Sequence, residues 1–67
     1  MPDVYVTNIG RLWIIQNCPP ATGVNFKKYS VPEDDIRMAY EKADALVGSF
    51  NSQAKSWSEV HLPESLI

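Results

Sequence analysis

Ser30-Val31-Pro32-Glu33-Asp34-Asp35 is the stretch that divides this chain. It reads as a helix start. Ser30 is spaced to cap a free backbone N–H, and Glu33, three residues on, to reach back to the Ser30 N–H. Pro32 falls in the first turn, where its missing donor costs nothing. Glu33, Asp34 and Asp35 complement the positive end of the helix dipole. Downstream, Ile36, Ala39, Tyr40, Ala43, Leu46, Val47 and Phe50 recur at i, i+3, i+4 and i+7 and form one apolar stripe. The spacing predicts a helix over residues 31–50. Arg37 and Glu41 are spaced to pair on its opposite face.

Upstream, Val4-Tyr5-Val6-Thr7 is β-branched and aromatic, and Arg11-Leu12-Trp13-Ile14-Ile15-Gln16 is the strongest strand signal in the chain. Asn8-Ile9-Gly10 between them suits a three-residue loop whose last position takes positive φ. Residues 3–17 therefore read as a β-hairpin. Pro19 and Pro20 break the pattern in the following connection. Residues 24–29, Val24 to Tyr29, read as a third strand at an edge, where Lys27 and Lys28 discourage further pairing. Residues 53–62 fit a strand or a short helix; a strand is preferred because it would complete the sheet. Pro63 ends that element, and Glu64-Ser65-Leu66-Ile67 reads as a frayed tail. The expected architecture is α+β: one domain over residues 1–67, with a small antiparallel sheet packed on one amphipathic helix.

Sixty-seven residues bury only about 60% of their unfolded surface, and such a core supplies roughly 3–5 kcal/mol. One Cys excludes an internal disulfide, and one Cys with one His falls short of the usual four-ligand structural zinc site. Support must come from packing, self-association or a partner. The unpaired thiol fits a reducing compartment. No apolar run approaches the roughly 20 residues of a membrane span. Met1-Pro2-Asp3 lacks the basic start of a signal peptide. The expectation is a cytoplasmic protein with no membrane contact. Net charge is −2, unevenly placed: residues 1–30 hold one acid and three bases, net +2, and residues 31–67 hold seven acids and three bases, net −4. The acidic half argues against nucleic acid, whose binding rests on phosphate neutralisation.

Catalytic chemistry finds little to stand on. Cys18 and His61 are the candidate nucleophile and base, but no basic neighbour or helix N-terminus activates Cys18 in sequence. The acidic cluster at 33–35 lacks calcium-loop spacing and is accounted for by the helix start. Gly10 and Gly23 belong to no phosphate-binding pattern. Phe26-Lys27-Lys28-Tyr29 mixes cations with stacking surfaces, although protective edge lysines account for it equally simply. Ser65-Leu66-Ile67 matches the loose C-terminal form read by strand-adding domains, a match three residues make often by chance.

Leu12-Trp13-Ile14-Ile15 carries more weight. With Leu12 and Ile14 on the helix, Trp13 and Ile15 lie on the open sheet face near Tyr5, an aromatic-aliphatic patch of the kind that marks a binding surface. The alternative is that the C-terminal segment, with Trp57, folds over and buries them. The functional expectation is a non-enzymatic protein-binding module without cofactor or metal. It would use Tyr5, Trp13, Ile15 and Trp57 to occupy a partner's surface, or form a homodimer through the open face or the hairpin edge. An inhibitor or regulator encoded by a phage or mobile element fits that description. The rival is a nucleic-acid-associated module using Arg11, Lys27, Lys28 and the sheet aromatics.

Overall fold

The computed structural model describes residues 2–67. Three antiparallel strands, one helix and an irregular C-terminal segment form an α+β fold. β1 (Asp3–Ile9) is the central strand, β2 (Leu12–Gln16) lies on one side and β3 (Asn25–Ser30) on the other. A 3₁₀ turn at Glu33–Asp35 leads into α1 (Ile36–Ser52), and a second, Trp57–Glu59, follows it. Central placement explains the composition of β1: Val4, Tyr5, Val6, Thr7 and Asn8 are all buried, and β-branched and aromatic residues fill such a surface well.

The hairpin turn decides which face each side chain takes. Ile9 pairs with Leu12, leaving only Gly10 and Arg11 in the turn. Gly10 takes φ +65°, as a two-residue turn with glycine in first place requires. The expected loop was one residue longer and began at Asn8. The expected loop pairs Val6 with Leu12, whereas the observed turn pairs Val6 with Ile15, a shift of three residues, and an odd shift moves every side chain of β2 to the other face. Val6 therefore pairs with Ile15 and Asn8 with Trp13, so Trp13 and Ile15 join Val4 and Val6 on the helix side. Leu12 and Ile14 face away from it.

The helix-side core contains Val4, Val6, Trp13, Tyr29, Val31, Ala39, Ala43, Val47 and Leu66. Ala39 and Ala43 have no exposed surface and let α1 approach the sheet closely. The helix lies mainly over β2. The C-terminal segment covers the β3 side: Leu66 is 3% exposed, and the Tyr29 hydroxyl donates to the Pro63 carbonyl at 2.7 Å. The expected frayed tail is thus part of the core. Residues 53–62 form no fourth strand; their one regular element is the 3₁₀ turn at Trp57–Glu59. Trp57 needs one flat contact, stacking on Trp13 at 5.8 Å, and the 3₁₀ turn provides it.

The helix start also differs from its reading. Ser30 ends β3 opposite Asp3, and its hydroxyl donates to the Asp3 carboxylate at 2.8 Å. No side chain caps either helical segment there. The capping box of this chain is Ser56–Glu59, where Glu59 accepts from the Ser56 N–H and hydroxyl, both at 2.7 Å. Those two bonds, backbone first, and then Arg11 and Lys55 hold the Glu59 carboxyl below its ordinary range.

Candidate functional site

α1 closes in a turn that locks β2. Lys55 N–H donates to the Phe50 carbonyl and Ala54 N–H to that of Asn51, the bond pair of a Schellman motif, with Ala54 at φ +50°. The turn presents polar groups to the hairpin. The Trp13 indole N–H donates to the Lys55 carbonyl at 2.7 Å, and Arg11 donates to that of Ala54 at 2.6 Å. Asn51 acts as a one-residue strand: its Oδ1 accepts the Trp13 N–H at 2.8 Å, and its Nδ2 donates to the Trp13 carbonyl at 2.9 Å. The outer edge of β2 is closed at Trp13.

Trp13 is consequently 1% exposed, packed between Phe50 at 4.7 Å and Trp57. Ile15 and Trp57 are half-buried against the same core. Tyr5 lies on the other face of the sheet. The four residues expected to form one protein-binding patch are therefore divided between two faces, and three of them hold the fold together.

The open face is built from their neighbours. Tyr5, Thr7 and Ile9 of β1, Leu12 and Ile14 of β2, and Phe26 and Lys28 of β3 share it by strand alternation and register. Leu12 is 55% and Phe26 43% exposed, and Ile9 is exposed beside them. They surround a floor that is closed to water: Thr7 has no exposed surface and its hydroxyl donates to Gln16 at 3.0 Å, while the Tyr5 ring leans on Phe26 at 5.7 Å. β2 and β3 both run antiparallel to β1 and so parallel to each other, which obliges the connection over residues 17–24 to cross β1; a right-handed crossover runs over this face, where Tyr5 and Thr7 are buried, and leaves Ile9, Leu12 and Phe26 exposed. Leu12 and Ile14 escaped the sequence reading because the expected loop set them on the helix side.

A second feature lies at the outer edge of β2. Ile15, with Arg37, Tyr40, Glu41 and Asp44 of α1, lines an open groove of about 460 Å³. Arg37 and Glu41, spaced for a helical pair, do not form one, and among the described residues Arg37, Glu41 and Asp44 make no ion pair.

The cations proposed for nucleic acid do not converge. Arg11 stands at the hairpin tip, 3.6 Å from Glu59. Lys27 points to the helix side, over the Tyr29 ring and 3.4 Å from Glu64. Lys28 points to the open face, 3.9 Å from Asp3. Each has an acid beside it. Cys18 is exposed in the β2–β3 connection, and His61 is exposed in the C-terminal segment. Among the described residues, no group of three His, Cys, Asp or Glu is placed to hold a metal ion. Among the described residues, no helix is long and apolar enough to cross a membrane.

Compared with protein-family models, curated proteins and solved structures, the chain matches none of them.

Proposed function

We propose that this chain is a non-enzymatic protein-binding module that acts by covering a partner's surface with the exposed apolar residues Ile9, Leu12 and Phe26 on the sheet face opposite the helix. The observation that supports this reading is the exposure of Leu12 and Phe26 around the closed floor of Tyr5 and Thr7. Neighbouring large apolar side chains left exposed on so small a chain are a usual mark of an interaction site. Central aromatic and aliphatic groups carry most of the energy of such contacts, and Phe26 with Tyr5 beneath it is the anchor. The separation of Arg11, Lys27 and Lys28, each beside a carboxylate, gives no continuous cationic track for a phosphate backbone.

The test is affinity capture with the wild-type chain beside a Leu12→Ser, Phe26→Ser variant whose circular dichroism matches wild type. Both positions are exposed, so the variant keeps the core. A stoichiometric protein retained by wild type and lost by the variant is the expected result. Equal retention by both would remove the open face as the contact surface.

A further inference from the structure

The edge of β2 and the groove beside it have a shape and charge order that suit one occupant. Asn51 binds the outward N–H and C=O of Trp13, so by strand alternation those of Ile15 also point outward. The ladder to β1 does not use them, because Ile15 and Val6 form a non-hydrogen-bonded pair in this register. Asn51 closes the edge on one side of this position only. The other edge of the sheet is guarded: β3 carries Lys27 and Lys28, and Lys27 is tied to Glu64 across the C-terminal segment. β2 carries no charge.

Beside Ile15, α1 presents Arg37, Tyr40, Glu41 and Asp44. Their order is self-complementary. Arg37 and Asp44 are equally distant from the midpoint between Tyr40 and Glu41. An antiparallel copy of the same helix centred there sets each Arg37 against the other copy's Asp44, and each Tyr40 hydroxyl beside the other's Glu41. Among the described residues none makes an ion pair with these side chains, which leaves them available.

We infer that this groove is the seat of a second copy of the chain, paired β2 to β2 and α1 to α1 about one two-fold axis. The two Ile15 residues exchange their backbone bonds on that axis, as an isologous contact requires. α1 lies mainly over β2, so the same axis brings the two helices side by side. The product is a six-stranded sheet with both helices on one face. This inference goes beyond the open-face reading and does not depend on it.

Sedimentation equilibrium of the full chain at low salt tests it. The wild type is expected to pass from 7.5 kDa to twice that mass with rising concentration. Arg37→Asp alone and Asp44→Arg alone are each expected to weaken the dimer about tenfold or more, because each places like charges in contact twice. The double exchange restores the wild-type dissociation constant. Added salt weakens the wild-type dimer, a check that needs no variant. A wild-type mass that stays at 7.5 kDa up to about 1 mM overturns the inference. So does a dimer that ignores both reversals and salt. A dimer lost with Leu12→Ser, Phe26→Ser but kept by the reversals would move the second copy to the open face. If that variant keeps the dimer yet loses a captured protein, both surfaces stand as separate sites.

Discussion

Leu12 and Trp13 are adjacent in sequence, and the two faces of the sheet treat them oppositely. Trp13 is closed in by Phe50 and Trp57, and its ring nitrogen and backbone are bonded to the turn that ends α1. Leu12 stands more than half exposed on a face that no helix covers. Hydrophobicity does not separate them. A buried indole needs a partner for its N–H as well as an apolar bed, and only the helix side offers both.

Truncating each residue gives the widest contrast. Trp13→Ala should cost about 3–5 kcal/mol, the usual range for a buried large aromatic, and a chain of this size holds little more than that. It should be largely unfolded at room temperature by circular dichroism. Leu12→Ala should change stability by less than about 0.5 kcal/mol in urea titration, as exposed positions usually do. Similar losses at both positions would show that the two faces are equivalent, and would return the register to the longer loop.

That register is also where the sequence ceased to be legible. The helix, the hairpin and the third strand follow from local pattern: the seven-residue stripe from Ile36 to Phe50, the β-branched run at Val4, the alternation near Phe26. None of these depends on distant residues. The face assignment does. Leu12-Trp13-Ile14-Ile15 is apolar at every position, so alternation cannot orient it, and the decision passes to a turn in which Asn8-Ile9-Gly10 and Gly10-Arg11 are both acceptable. Ser30 failed as a helix cap for a related reason, since β3 claims it first by pairing with Asp3. Leu66 was invisible as core because an isolated apolar residue in an irregular segment carries no period, whereas Trp57 was legible as one of two readings, and the one in which it covers Trp13 is observed. The capping box at Ser56–Glu59 was readable from its spacing, and indicated the short helical turn there in place of a strand.

Alkali should separate the two halves of the core face. Burial, and then the charge of Glu64, push the Tyr29 phenol up to about 12 from its ordinary value of 10. The unfolded chain therefore loses this proton first. Stability from this group is complete below pH 10 and falls as the pH rises to about 12, by about 2–3 kcal/mol at most. The C-terminal segment, held by the bond from Tyr29 to Pro63, should come away in that window. Tyr29→Phe should lose about 1 kcal/mol near neutrality for the missing bond, and the part of the alkaline loss due to Tyr29 should disappear. Thermal unfolding of both chains at pH 8, 10 and 11 checks the sign. An equal alkaline loss in the phenylalanine variant would assign it to other groups.

The most discriminating effect expected has two signs. Asn51→Ala removes the bonds that close the β2 edge at Trp13, and should lower monomer stability by about 1–2 kcal/mol. It also frees the outward N–H and C=O of Trp13. A second β2 strand centred on Ile15 can then pair over a longer ladder, from Trp13 of one copy to Asn17 of the other. If Asn51 serves only to hold the helix end, the variant is simply less stable. If it also limits an edge that already pairs, urea denaturation at low concentration shows the loss while sedimentation shows tighter association. An edge with no tendency to pair would give the first change without the second. The comparison of faces would then stand, and the comparison of edges would not.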